Sequence, residues 1–459
     1  MDWNQEIKLS DVFKRKPQAE EVDETLGDLP TEEKPREKAS FLKKELKFGR
    51  KTKEPKQPKE PKPPKEPKQR REWRKRKQAT DGAAPAAPKA KKPKAARGRK
   101  DQGPKRAKRL VGLKIGGSQL AAARIANNGA PELVQLARED LEPGLVVSGE
   151  LREPELLAEA LREFFKRNKL PKSAVRLGIA NNRIGVRIFE IGGIDDPRQL
   201  ENAIRYRAQE ALPIPIEEAV LDYHILEEKK NEEGVATRRI LLVVAYRELV
   251  DRYVAACKKA GVKLVGIDLE AFALLRALAA PRAEDSAADA ALVVVGIGHD
   301  RTTFAVSDGR VCEFTRVLDW GGQAINVALA RALDIAPSEA EPIKRALSLT
   351  PHANAAEGLT PEQDAAAREA VRRQLQTFAR ELVSSLQFYQ NQPGSLGIGE
   401  IVVTGGTAQL DGLAEELHRL IGVRVRVGDP LARLKVGKKV GEPEQIGSLS
   451  AAIGLGIED

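Results

Sequence analysis

Cysteine is nearly absent from this 459-residue chain: Cys257 and Cys312 are the only two, too few for a disulfide framework and without the neighbouring ligands of a zinc site. That scarcity suits a reducing cytoplasm. Histidine is as sparse, with His224, His299, His352 and His418 lacking mutual spacing, so none is a good metal ligand. No serine, histidine and acid arrangement and no cysteine nucleophile signature is present, which removes covalent hydrolase chemistry. Long apolar runs are missing too. ILLVVAY at 240–246 and ALVVVGIG at 291–298 fall far short of the roughly 20 residues of a membrane-spanning helix, and no cleavable signal sequence is expected.

What the chain does have is 41% hydrophobic residues, enough for two or three domains, and an uneven distribution of charge. Residues 1–108 hold 34 Lys and Arg against 18 Asp and Glu, whereas 109–459 hold 44 against 49. The basic character therefore belongs to the N-terminal quarter, which itself divides into an acidic head, 1–40, of net charge −4 and a basic arm, 41–108, of net charge +20. In the arm a Lys-Glu-Pro-Lys unit begins at Lys53, Lys59 and Lys65, with proline too frequent for a helix to propagate. DGAAPAAPKAKKPKAARGRK at 81–100 offers almost no large apolar side chain, so 45–108 is expected to be disordered. Such an arm is either a solvated spacer or a binder of polyanions: nucleic acid, an anionic membrane surface at about 1 kcal/mol per basic residue, or acidic proteins. Trp73 among Arg70, Arg71, Arg74 and Arg76 favours a surface or a stacking partner. In the head, Trp3, Ile7, Leu9, Val12 and Phe13 form short apolar groups in an acidic setting, readable as a docking motif or as a loosely helical linker.

From Leu110 onward, short apolar runs alternate with amphipathic stretches, the pattern of an α/β protein. RLVGLKIGGSQLAAARI at 109–125 reads as strand, glycine turn, strand. No helix starts at that turn, so it is not a dinucleotide-binding βαβ turn. Pro154 opens a helix with an apolar stripe running to Asn168. Val371, Leu375, Phe378, Leu382, Leu386 and Tyr389 keep helical spacing on one long helix within 361–390, ended by Pro393-Gly394. A strand at 400–406 then runs into Gly405-Gly406, followed by a helix carrying Leu410, Leu413, Leu417 and Leu420 and a strand at 423–428. ALVVVGIGHDRTTFAVSD at 291–308 repeats the strand, glycine, strand design of 109–125. Two such hairpins point to a duplicated domain with facing halves and a nucleotide between them, since backbone N–H groups at a tight glycine turn approach phosphate oxygens with no side chain in the way.

With these three glycine sites the sequence resembles the actin-like ATPase superfamily, which includes actin, FtsA and the large heat-shock chaperones, and within it the PilM family of type IV pilus assembly. VGLKIGGSQLAAARI is similar to the first phosphate loop, VVVGIGHDRTTFAVSDG to the second, and IVVTGGTAQLDGLAEELHRLIGVRVRVGDP to the adenosine motif. The segments at 200–226 and 241–278 and the closing GSLSAAIGLGIED are similar to PilM in content and order. The resemblance implies an actin-like fold of two duplicated halves with a small inserted subdomain: a disordered tail at 1–108, a first subdomain at 109–183, the insert at 184–265, and the second half at 266–459. It implies a site for ATP or ADP. Gly116, Gly117 and Ser118 would meet phosphate from one side and Gly298, Thr302 and Thr303 from the other. Gly405, Gly406 and Thr407 would flank adenosine, and Glu341 and Lys344 would touch ribose and base, unless they are an exposed helical charge pair.

The implied partners are the cytoplasmic tail of a PilN-like inner-membrane protein, held in a groove between the insert and the first subdomain, and other pilus assembly proteins. The implied location is the cytoplasmic face of the membrane. Two departures bear on chemistry. Each phosphate loop of the superfamily usually carries a magnesium-holding aspartate, and here Lys114 and Gly296 stand instead. A hard cation wants oxygen ligands, and an ammonium at 114 repels it while attracting phosphate. Three outcomes stay open: ATP or ADP bound without metal and without hydrolysis, only an anion or nothing bound, or the metal held by Asp300. The rivals to a pilus scaffold are a polymerising ATPase and a nucleic-acid binder acting through the arm.

Overall fold

The structure is a computed structural model that describes residues 109–194, 196–211, 215–230, 235–280, 290–351, 353–438, 440–441 and 445–458. The acidic head, the basic arm and His352 lie outside the described residues.

The glycine turn at 116–118 folds β1 (Arg109–Ile115) back on β2 (Gln119–Ala126), and β3 (Glu132–Asp140) completes an antiparallel meander. A short hairpin, β4 (Val146–Val147) with β5 (Glu150–Leu151), precedes α1 (Pro154–Arg167) and β6 (Val175–Ile179). Proline at the first turn and a buried stripe of Leu157, Leu161, Phe164 and Phe165 make α1 amphipathic. Next come β7 (Ile184–Gly192), α2 (Pro197–Ala211), β8 (Ala219–Lys230), β9 (Ala236–Tyr246), α3 (Arg247–Ala260), β10 (Leu264–Leu269) and α4 (Glu270–Leu278).

The second half opens with another meander, β11 (Ala291–Ile297), β12 (Thr302–Ser307) and β13 (Cys312–Leu318). It continues through α5 (Gly322–Leu333), α6 (Ala340–Ala346), α7 (Pro361–Gln390), β14 (Ile398–Thr404), α8 (Leu413–Ile421), β15 (Val425–Val427), β16 (Lys435–Val436) and α9 (Ser450–Gly456). Thr360 caps α7 reciprocally with Gln363, which fixes where that long helix begins.

The strand orders display the duplication. One sheet runs β10-β6-β1-β2-β3-β16 and the other β15-β14-β11-β12-β13. In each, the first strand of a meander lies between its antiparallel partner and a parallel strand delivered by a helical crossover. A separate three-stranded sheet, β7-β9-β8, enters between β6 and α3, and it has its own small core of Ile191, Leu200, Ile204, Ala208, Ile240, Leu242 and Val244 beneath α2. α3 buries Leu249, Tyr253, Ala256 and Cys257 in the first half's core with α1. The second half's core lies between its sheet and α5, α7 and α8. α4 and α9 pack between the two main sheets, joining Ala123 and Ile125 to Val294 and Val402.

The meanders are longer than the two-strand hairpins read from sequence. β3, ELVQLARED, has few apolar residues and several polar ones, and it is held in place by pairing with β2. Leu410 precedes α8 rather than sitting on it, because Thr407–Gln409 form a 3₁₀ turn after the glycine pair.

Candidate functional site

The duplication brings the turn after β1 opposite the turn after β11, and a cleft of about 670 Å³ opens between them. Lys114, Gly117, Ser118, Gly298, Glu341, Lys344, Gly405, Gly406 and Thr407 all line it. Gly116 and Thr303 line a smaller pocket directly adjoining, which shares Lys114, Gly117, Ser118, Gly298 and His299 with the cleft. Thr302 is not brought to the cleft: it is fully buried, and its hydroxyl donates to the Trp320 carbonyl at 2.7 Å.

The two turns are built alike. The N–H of Gly116 donates to the Gln119 carbonyl and that of Gly298 to the Arg301 carbonyl, each at 2.9 Å, so these two amides close the turns. The amides of Gly117, Ser118, His299 and Asp300 meet no backbone acceptor among the described residues. They are the donors left for an anion. Gly405 sits at φ +100°, and a Cβ there would come within 2.1 Å of the Ile297 carbonyl oxygen. Only glycine lets β14 end against β11 and turn into the cleft wall.

Beneath the turns lies a cluster of charges that sequence reasoning reached only in part. Glu270, the first residue of α4, has a side chain 3% exposed and accepts Lys114 Nζ at 3.4 Å and an Arg301 guanidinium nitrogen at 3.4 Å. Arg301, 5% exposed, also reaches the Ile115 carbonyl at 3.3 Å and Asp300 at 3.4 Å. Asp300 in turn accepts the backbone N–H of Ser148 at 2.6 Å. Burial alone would pull the Arg301 pKa down, but Glu270 and then Asp300 outweigh it and hold it up. Burial lowers the pKa of neighbouring His299, against the opposing field of Asp300.

On the opposite wall Lys344 is 6% exposed, so Lys344 with Glu341 is not a surface charge pair. Its Nζ donates to Glu341 at 2.6 Å. Burial pulls the Lys344 pKa down even though Glu341 opposes the shift. Desolvation pushes Glu341 up, yet the hydrogen bonds from Lys344 and Asn326 win and its pKa falls below the ordinary carboxylate value. Asn326 gives its Nδ2 to Glu341 at 2.8 Å, while its Oδ1, like the Nε of Arg301, is buried without a protein partner.

This donor set fits a nucleotide. It offers free backbone amides and two cations toward phosphate, and an unpartnered acceptor and a tethered carboxylate toward hydroxyl or amino groups. Among the described residues no three His, Cys, Asp or Glu converge, and the two acids beside the turns, Glu270 and Asp300, meet cations and an amide.

Glu270, Arg301 and Asn326 were not among the site residues read from the sequence. No local motif marks Glu270, the first residue of α4, or Asn326, within α5. Arg301 lies within the second turn, and its charge was the one available signal.

Duplicated sheets of this order with two apposed glycine turns and a third at the end of β14 define an actin-like protein. The family model described as type IV pilus assembly protein PilM matches residues 112–459. The chain belongs to that family and is a type IV pilus assembly protein of actin-like fold. Among solved structures, a "PilM-PilN type IV pilus biogenesis complex" superposes with a TM-score of 0.63 at 28% identity, covering 76% of this chain and 97% of that one. The cell division protein FtsA of Escherichia coli K12 is 28% identical over 237 residues, 47% of this chain and 55% of FtsA. FtsA of Shigella flexneri matches over the same length, 52% of its chain. The chain thus spans about half the length of these curated relatives. No described helix is long and apolar enough to cross a membrane.

Proposed function

We propose that this protein is a scaffold of the pilus machinery at the cytoplasmic face of the inner membrane, whose cleft holds ATP or ADP without magnesium and without turnover. The cluster of Lys114, Glu270, Arg301 and Asp300 carries this reading. Two protein cations, Lys114 and Arg301, lie beneath the glycine turns. They also neutralise Glu270 and Asp300, leaving neither carboxylate free to hold a metal or to accept a proton from water. Lys114 and the amides of Gly117 and Ser118 hold phosphate, while Asn326 and Glu341 orient the sugar and base.

The partner is the N-terminal tail of a PilN-like membrane protein, seated between the inserted sheet and its helix, 184–246, and the first half, which keeps α3 and β10 although the sequence assigned residues up to 265 to the insert. The neighbouring solved complex pairs PilM with PilN, and an inserted sheet with its own core supplies the second wall of such a groove. The basic arm, 41–108, adds attraction to anionic lipid.

Titration calorimetry of the full chain with ATP tests the cleft. Equal affinity in EDTA and in magnesium is the expected result, and binding only with magnesium, or steady release of phosphate, overturns it. Fluorescence anisotropy with a PilN-like N-terminal peptide tests the partner separately, where absence of saturable binding removes the tail from the reading.

A further inference from the structure

The inserted sheet and the second half meet along a trough that neither the cleft nor the tail-binding reading uses. β7 and β13 are both edge strands of their sheets. Consecutive residues of each, 184–187 and 314–318, line a groove of about 1140 Å³. Its ends are tied: Asn182 donates to Asp319 at 3.2 Å, and Arg239 pairs with Glu313 at 3.2 Å. Between those ties the surface is apolar and basic. Phe388 is 56% exposed there, in contact with Phe314. Arg183, Arg187, Arg316 and Arg380 all line the groove and are all exposed, and of these only Arg183 has a carboxylate partner, Glu150, among the described residues. Asp319 and Glu381 are the acids of the lining.

An edge strand leaves every second N–H and C=O without a ladder partner, so either edge along the trough suits an extended peptide that adds as a strand. The arginines select one with acidic side chains. We propose that the occupant is the head of this same chain, residues 2–13. In DWNQEIKLSDVF, Ile7 and Leu9 alternate with Glu6 and Lys8 at the two-residue period of a strand, Asp2, Glu6 and Asp11 match the arginines, and an aromatic at one end, Trp3 or Phe13, can meet Phe388. The basic arm is excluded by its like charge. The 95 residues between Phe13 and Arg109 reach up to roughly 300 Å when extended, so distance does not limit docking. A docked head covers both edges and withholds them from other chains.

Hydrogen exchange of the full chain tests this against the variant D2K/E6K/D11K, whose substitutions lie outside the described residues. We expect peptides covering 184–187 and 314–318 to exchange about fivefold faster in the variant, at a difference independent of protein concentration, and R187E/R316E/R380E added to that variant to restore protection. Identical exchange in both proteins overturns the proposal. Protection that disappears on dilution also overturns it, assigning the trough to a second copy. Neither outcome touches the tail or nucleotide readings, which have their own binding assays.

Discussion

Glu270 is the residue on which the charge cluster beneath the turns depends, because among the described residues it is the only carboxylate that meets both Lys114 and Arg301. Breaking a buried ion cluster by removing one partner leaves the others charged and unpaired. Glu270→Gln should therefore destabilise the protein by about 3 kcal/mol in urea unfolding, with retained folding checked by circular dichroism. His299 carries a pH dependence of defined sign. Burial depresses its folded pKa below the ordinary value of 6.5, so the unfolded chain binds a proton that the folded one does not. The associated stability is present above about pH 6.5 and is lost as pH falls toward the folded pKa. His299→Gln should flatten the fall of the urea midpoint below about pH 6.5, and an unchanged slope would remove His299 as its source. The two buried thiols are different: desolvation pushes Cys257 and Cys312 up to about 12, and they are inert packing groups.

At the scale of elements, the contact that joins the halves is the crossing of α4 and α9 between the sheets. Their backbones approach closely enough that a Cβ on Gly454 would lie 1.7 Å from the Ala273 carbonyl oxygen. Helix backbone cannot yield as a flexible side chain does, so Gly454→Ala should force the pair apart and cost about 3 kcal/mol or more, read as a lowered thermal midpoint and, if the crossing aligns the turns, weaker ATP binding. An exposed helical alanine of similar size, such as one replacing Glu369 on α7, should shift the midpoint little.

At the scale of the whole molecule, a ligand held between two halves stabilises both at once, by mass action. ATP at a hundredfold excess over its dissociation constant should raise stability by about 2.7 kcal/mol. On the metal-free reading the thermal shift is the same in EDTA as in magnesium, and a shift seen only with the ion would contradict it. The charge distribution works at this scale too. A mildly acidic folded part, a basic arm and an acidic head place opposite charges on one chain, and the four arginines between β7 and β13 are a local exception to the acidic balance of the folded part.

Sequence alone determined the repeated strand, glycine, strand units and the helices that open at Pro154 and Pro361, because periodicity, turn glycines and proline act over a few neighbouring residues. It also located part of the cleft lining through the two glycine turns and the glycine pair at 405–406. Tertiary structure decided the rest. β3 exists as a strand through its pairing with β2, Thr302 is turned away by the Trp320 carbonyl, and Lys344 is buried by the wall opposite the turns. Glu270 joins Arg301 and Lys114 only when α4 is laid against both sheets. The contacts of Arg301 with Glu270 and with the Ile115 carbonyl span 31 and 186 positions of chain, and the Coulomb and desolvation energies that fix them depend on distance and burial in space, which no local pattern encodes.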